Sequence, residues 1–143
     1  MSDSPTIQQI RTALEHDLTI DIVTIGAKSG QPRKTEIWFT NIDGQIIICG
    51  TPAAEGESGV RAKRDWLANM IANPDFRFCL KESLPAELTA RAHLVRDRDE
   101  RRRLMSAPET QWYRDQVDSV EQLVDDSPIV RIEFTGNFTV QNR

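Results

Sequence analysis

The sequence predicts a mainly β (α+β) fold: a small barrel of about six antiparallel strands, with helices flanking its ends and gaps. Three observations support this prediction. Six short segments carry the alternating or continuous apolar pattern of strands. Most consecutive strands are separated by short turns, which favours antiparallel pairing. Only a few segments have apolar residues at the spacing of a helix.

The first third of the chain predicts one helix and three strands. Residues 5–16 carry apolar residues at helical spacing, with Ser4 as the cap and Pro5 at the first position. Residues 18–25 alternate as a strand does, and residues 34–42 are rich in Ile, Trp, Phe and Thr. Asp43-Gly44 is a hairpin signal that leads into a third strand, 45–49. The run 46–48 consists of isoleucine alone, which predicts a strand covered on both faces.

The remaining elements follow a loop at residues 51–60, composed of Pro, Ala, Gly, Ser and Glu with a few other residues. Residues 63–72 predict a helix with one apolar stripe, and Asn73-Pro74 ends it. Strands are predicted at 76–81 and 87–95, and helices at 97–105 and 108–117. Residues 119–123 are predicted to start a further turn. The last predicted strand is 129–134, and residues 138–140 extend or follow it.

Composition limits the class of protein. The 143 residues fit one domain, so we expect a single domain over 1–143, with the N-terminal helix inside 1–17. Hydrophobic residues make up 38% and charged residues 28%, as in soluble globular proteins. The net charge of −4 argues against a general nucleic-acid binder. No run could span a membrane, and residues 1–9 lack an apolar signal region, so we expect a cytoplasmic protein.

The segment 24–33, Thr-Ile-Gly-Ala-Lys-Ser-Gly-Gln-Pro-Arg, is the most informative in the chain. We call its residues 26–33 the basic turn. Gly26 and Gly30 permit positive φ and a close backbone approach. Lys28 supplies a point charge, and Arg33 can hold an oxyanion with two parallel hydrogen bonds. The basic turn therefore predicts an anion site, although a solvated hairpin of the same composition is an equal alternative.

A second basic segment, Arg61-Ala62-Lys63-Arg64, precedes the predicted helix 63–72. Cations are unfavourable at a helix N-terminus, so an anionic partner would explain them. The alternative is a solvated helix start compensated by Asp65. Trp66 is predicted to anchor the core or an interface.

Other chemistry-bearing residues give weaker signals. Cys49 and Cys79 lie in apolar runs and are predicted to be reduced core residues. His16 and His93 have no partner at metal-ligand spacing, so no metal site is predicted. The alternating charges of 96–103 predict a solvated, ion-paired helix face. No catalytic set is recognisable, and an enzyme with this sequence would rely on a cofactor for its chemistry.

Two blocks carry a resemblance to a known family. Residues 24–35 resemble the phosphate-binding turn of the deazaflavin (F420)-dependent nitroreductase family, and residues 65–74 resemble its helix that ends in Ala-Asn-Pro. The resemblance covers roughly residues 21–80. It implies a split β-barrel of the flavin-binding superfamily, with F420 as cofactor. It also implies a homodimer and hydride transfer from F420H2 to a small electrophile such as a quinone or nitro compound.

The resemblance also implies a set of cofactor-binding residues. Those expected at the phosphate are Lys28, Ser29, Gly30 and Arg33, with Thr35 beside them. Three residues at the end of the third strand would approach the ring system through backbone groups: Cys49, Gly50 and Thr51. Three further cations would meet the phosphate or the anionic tail: Arg61, Lys63 and Arg64. No catalytic residue is assigned.

The chain differs from the family pattern at a few positions. The family usually has arginine where this chain has Ala27, and an aromatic residue where it has Leu67. Two carboxylates, Glu55 and Glu57, lie in the loop before the helix. Two alternatives therefore stand beside an F420-dependent reductase: an FMN-binding split-barrel oxidoreductase, and a non-catalytic ligand-binding or interaction module on the same fold.

Overall fold

The computed structural model describes residues 5–52 and 65–136, and its elements are numbered below in chain order. Its strands lie close to the predicted segments, except that the predicted strand 34–42 is two strands. The strands are β1 Thr19–Ile25, β2 Pro32–Trp38, β3 Thr40–Ile42, β4 Gln45–Cys49, β5 Asp75–Leu80, β6 Ala86–Leu94 and β7 Ile129–Phe134. The helices are α1 Ile7–His16, α2 Asp65–Ala72, α3 Arg98–Met105, α4 Gln111–Arg114 and α5 Val120–Asp126.

All seven strands of the described part pair antiparallel in one sheet, in the order β2-β1-β5-β6-β7-β4-β3. The two edge strands, β2 and β3, are separated along the chain by Phe39 alone. The sheet must therefore curl until its two edges meet at this residue. The result is the split β-barrel that the resemblance implies, with seven strands instead of about six.

Phe39 explains why one predicted strand is two. Its backbone N–H donates to the Leu18 carbonyl, and its ring packs edge-to-face on Phe78 at a centroid distance of 5.3 Å. The side chain is buried inside the barrel. The chain leaves one edge of the sheet at this point and joins the other. Residues 34–42 all favour a strand, so their sequence does not reveal the break.

Two apolar clusters cover the two faces of β4. Ile46 and Ile48 belong to the barrel interior, which also holds Phe78. Ile47 and Cys49 belong to a second cluster between the sheet and the helices α3 to α5. The three isoleucines are nearly inaccessible to solvent, which confirms the prediction of a strand covered on both faces.

Turn and cap chemistry fixes several element ends. Asp43 and Gly44 both have positive φ, 53° and 89°, which confirms the predicted hairpin. The prediction that Pro5 starts the first helix is wrong: Thr6 is the cap, and its side chain and that of Gln9 exchange hydrogen bonds with each other's backbone N–H. Ile7 is then the first helical residue.

The later helices differ from prediction mainly in length. The predicted helix 108–117 is a short 3₁₀ turn, Pro108–Thr110, followed by the single turn of α4. The predicted turn at 119–123 is a full helix, α5, capped by Ser119 and Gln122. The loop 51–60 beyond Pro52, the helix start at 63–64 and the strand at 138–140 lie outside the described residues. No helix in the described ranges is long and apolar enough to cross a membrane.

Candidate functional site

The basic turn joins β1 to β2 at one end of the sheet. Two backbone hydrogen bonds close it: the Gly26 N–H donates to the Gln31 carbonyl at 2.8 Å, and the Gly30 N–H donates to the Gly26 carbonyl at 3.0 Å. Gly30 has φ +71°, which glycine adopts without strain, as predicted. Gly26 does not use this freedom and has no positive φ. Gly26 makes the predicted close approach instead: a Cβ there would lie 2.4 Å from the Ser29 hydroxyl oxygen, so the Ser29 side chain would have to move.

The basic turn leaves several donors without a protein partner. Within the described residues, the backbone N–H groups of Lys28 and Ser29 have no hydrogen-bond acceptor. The side chains of Lys28 and Arg33 likewise form no ion pair or hydrogen bond there. By contrast, the neighbouring Lys34 lies on the other face of β2, and its ammonium nitrogen is 3.6 Å from a carboxylate oxygen of Asp21 on β1. The turn thus presents two charged groups and two N–H groups to solvent, a donor set suited to an anion.

Asn69 of α2 holds the turn in place and was missed by the sequence analysis. Its side-chain oxygen accepts from the Ala27 N–H at 2.8 Å, and its side-chain nitrogen donates to the Thr24 hydroxyl at 3.2 Å. Both Asn69 and Thr24 are buried. A polar residue in an apolar helix stripe was the available signal, because a buried amide needs hydrogen-bond partners. Its partners, 42 and 45 residues away, cannot be identified from spacing.

A cavity of about 290 Å³, the first cavity, lies between the basic turn and α2. Arg33 lines this cavity because of the strand register: Arg33 lies opposite Thr24, on the face of the sheet that Asn69 covers. Asp65 is the carboxylate among its described lining residues. These residues are Gly26, Ala27, Lys28, Ser29, Arg33, Asp65, Ala68 and Asn69.

The structure does not bring every predicted site residue to this cavity. Gly30 closes the turn but does not line the cavity. Thr35 is half-buried on β2, opposite Ile22, and faces the barrel. Cys49 ends β4, and Gly50 donates its N–H to the Pro128 carbonyl at 3.2 Å.

The last four predicted residues are described less fully or not at all. Thr51 is half-buried beside Gly50. Arg61, Lys63 and Arg64 lie outside the described residues. A role for any of the four in cofactor binding stays a prediction.

Cys49 has its side chain in the helix-covered cluster, where it is hydrogen-bonded to Tyr113. Burial raises the pKa of the Cys49 thiol to about 12, and burial also raises the pKa of the Tyr113 phenol. Tyr113 packs edge-to-face with Trp112 at 5.2 Å, and Trp112 is half-exposed against Trp38. Tyr113 therefore packs on the outside of the barrel, within the helix-covered cluster.

The other predictions have mixed outcomes. Trp66 is a core residue, as expected. Both cysteines are free, as predicted. The prediction that Cys79 is a core residue is wrong, because its side chain is only half-buried. Cys79 lies on the outer face of the sheet beside Asp21, its cross-strand neighbour. In the described ranges no cluster of three or more His, Cys, Asp or Glu side chains could hold a metal ion.

The predicted ion-paired face of 96–103 is present: Arg98 and Arg102 contact Glu121, and Arg98 also contacts Asp125. Arg101 is an exception, because its half-buried guanidinium donates to backbone carbonyls instead of a carboxylate. It ties α3 to the end of α5, a structural role that the charge pattern does not reveal.

Comparison with known proteins decides the family. The model of the F420H(2)-dependent quinone reductase family matches residues 7–133, most of the chain. The chain belongs to this family. The family match includes the basic turn and α2, and the cofactor of the family is F420.

Solved structures show the same fold. A conserved hypothetical protein from Mycobacterium tuberculosis is 22% identical over 94% of this chain and 81% of its own, with a TM-score of 0.61. A putative pyridoxamine 5′-phosphate oxidase from Listeria innocua is 13% identical over 96% and 98%, with the same TM-score of 0.61. A structure named F420 reductase is 17% identical over 88% and 93%, with a TM-score of 0.54. These likenesses show that the split barrel is shared.

Proposed function

We propose that this family member transfers a hydride between F420 and a small electrophile such as a quinone or nitro compound, with the F420 phosphate bound at the basic turn. One observation carries the proposal. Lys28, Arg33 and two free backbone N–H groups surround one cavity and have no carboxylate partner in the described part of the chain.

The donor set suits a phosphate group. Backbone N–H groups of a glycine-containing turn and a bidentate guanidinium are common partners of phosphate oxygens. Here Lys28 and Ser29 would supply the N–H groups, the lysine an ammonium, and Arg33 the guanidinium. Asn69 would keep the turn in its binding conformation, since it holds the Ala27 N–H from the buried side. Asp65 would repel an anion, so we expect the phosphate to lie toward Lys28 and Arg33.

The remaining predicted residues complete the proposed site. Arg61, Lys63 and Arg64 directly precede α2 in sequence and would offset the charge of Asp65. Thr35 would lie beside the phosphate residues, and the backbone of Cys49, Gly50 and Thr51 would approach the ring. When bound, F420H2 would supply the hydride, and the protein would bind and orient both reactants.

An FMN-dependent enzyme is the second candidate, because FMN also carries a phosphate that the same turn would accept. The family match favours F420. A non-catalytic module on the same fold would need neither cofactor.

Activity assays distinguish these functions. The purified protein is mixed with F420H2 and menadione, or with FMNH2 and menadione, and oxidation of the cofactor is followed optically. We expect turnover with F420H2 and menadione, and none with FMNH2 and menadione. Turnover with FMNH2 alone would replace the cofactor assignment. The absence of turnover with either cofactor, for menadione and for a nitroaromatic compound, would refute an oxidoreductase function.

We further propose that the protein is a homodimer and that residues 1–143 form one domain. The described strands belong to one sheet, which supports a single cooperative unit. Light scattering on a sizing column would reveal a monomer if the dimer proposal is wrong, and two separate thermal transitions would contradict a single domain. The cytoplasmic location stays a prediction from the sequence.

A further inference from the structure

A second cavity, of about 430 Å³, lies between α2 and the ends of β6 and β7. Leu67, Met70 and Ile71 line it from the helix, and the cross-strand pair Leu94 and Val130 lines it from the sheet. Ile71 is 59% exposed, an accessible apolar surface beside an open cavity. The volume falls within the roughly 300–1,000 Å³ typical of small-molecule sites. The second cavity therefore has the size and the apolar wall of a ligand site.

The second cavity is separate from the cavity at the basic turn. Successive residues of an α-helix are rotated by about 100°, so Asp65, Ala68 and Asn69 lie on one side of α2. Leu67 and Ile71 lie on the opposite side. Each set lines a different cavity, with the helix between them. A ligand in the second cavity would thus not contact the basic turn.

The rim of the second cavity is basic. Its described lining residues include no carboxylate but four basic side chains: Arg91, His93, Arg96 and Arg131. Arg91 and His93 already contact carboxylates on neighbouring strands, at 3.0 Å and 2.7 Å. Arg96 and Arg131 form no ion pair or side-chain hydrogen bond within the described residues. Arg131 acts on Glu100 only through a longer-range attraction, which contributes to lowering the pKa of that carboxyl.

We propose that the second cavity binds a small apolar carboxylate, such as an aryl-alkyl or short-chain fatty acid. The apolar wall would take the hydrocarbon part, since covering Ile71 removes apolar surface from water. Arg96 would take the carboxylate, because a guanidinium matches its two oxygens with parallel hydrogen bonds. Arg131 lies opposite Ile47, on the face of β7 away from Val130, and is assigned no contact with the ligand. A neutral ligand such as a quinone would leave the charge of Arg96 without a partner. This site is independent of the F420 proposal.

The test uses a matched pair of probes, 4-phenylbutyrate and the neutral 4-phenylbutyramide. Each is titrated into the 15N-labelled full-length protein, and amide chemical shifts are followed. We expect the carboxylate to shift resonances of α2, β6 and β7, and to bind at least roughly tenfold more tightly than the amide, as for a charge-assisted hydrogen bond. Equal affinity for the two probes, no shifts at millimolar concentrations, or shifts confined to the basic turn would overturn the proposal.

Variants identify the cavity. Arg96→Gln, and separately Ile71→Glu on the exposed side of the helix, should each weaken 4-phenylbutyrate binding at least tenfold. Arg77→Gln is the control, because Arg77 is paired with Glu87 on the sheet and does not line the cavity. Unchanged binding in both test variants, or equal loss in the control, would refute the site. Displacement of 4-phenylbutyrate by F420 would also refute it, since the cavity would then belong to the cofactor.

Discussion

Replacing Asn69 by alanine tests whether α2 positions the basic turn. The change removes the acceptor of the Ala27 N–H, at 2.8 Å, and the donor to the buried Thr24 hydroxyl, at 3.2 Å. A hydrogen bond contributes about 1 kcal/mol, and leaving a buried partner unsatisfied costs about 1–3 kcal/mol. We therefore expect the free energy of unfolding to fall by about 2–3 kcal/mol.

The effect on ligand binding separates positioning from general stability. Without the contact to Asn69, the turn would have to be ordered by the ligand itself, so we expect F420 to bind roughly tenfold more weakly, equivalent to about 1.4 kcal/mol. Asn73→Ala is the matched control. Asn73 lies one turn later and does not line the first cavity. Within the described residues, its side chain donates one hydrogen bond, to the Ile25 carbonyl at 3.3 Å.

Denaturant unfolding and fluorescence titration with F420 are measured for wild type and both variants. Asn73→Ala should cost no more than about 1 kcal/mol and leave F420 affinity unchanged. If Asn69→Ala loses stability but binds F420 like wild type, Asn69 stabilises the fold without positioning the turn. If it loses no stability, the hydrogen bonds that join Asn69 to Ala27 and Thr24 do not exist as described.

Three further predictions concern single side chains. Ala27→Arg keeps the backbone hydrogen bond to Asn69 and adds a cation at the first cavity. F420 should then bind about tenfold more tightly in a fluorescence titration. An unchanged or larger dissociation constant would contradict the binding of an anion in this cavity. Glu82 accepts two backbone N–H groups near the start of β1, which hold its pKa below 4.5, so its stabilisation is present above pH 4.5 and is lost as the pH falls through the lowered pKa. Glu82→Gln should therefore flatten the acid decline of Tm in calorimetry, and an unchanged decline would refute this role. Burial raises the pKa of the Cys49 thiol to about 12, whereas Cys79 is only half-buried. A thiol reagent at about pH 8 should therefore label Cys79 before Cys49. The reverse order of labelling, detected by mass spectrometry, would contradict the burial of Cys49.

The fold was largely predictable because local patterns and tertiary structure agree in this chain. Alternation identified β1, and the uninterrupted isoleucines of β4 indicated two covered faces, which the barrel interior and the helix layer supply. The break at Phe39 was not predictable. It depends on the closing of the sheet, a contact between distant strands, whereas the local sequence on both sides favours a strand.

The candidate site was predictable only where it is local. Gly30 and the cations of the basic turn stand out in the sequence because they are neighbours. Asn69 does not, because its partners lie 42 and 45 residues away. Nor could sequence show that Lys34 pairs with Asp21 while Lys28 and Arg33 form no ion pair in the described ranges. The strand register, which places Arg33 beside Thr24 and turns Lys34 to the other face, makes that distinction.

Titration of F420 into the Lys28→Gln, Arg33→Gln double variant tests the central claim most directly. Its control is Lys34→Gln with Arg77→Gln, which removes the same total charge from residues that are paired with carboxylates elsewhere on the sheet. We expect F420 binding to weaken at least thirtyfold in the first variant, about 2 kcal/mol for two charge-assisted contacts to phosphate, and by less than threefold in the control. Equal affinity in the first variant and wild type, or equal loss in both variants, would show that the basic turn does not hold the cofactor.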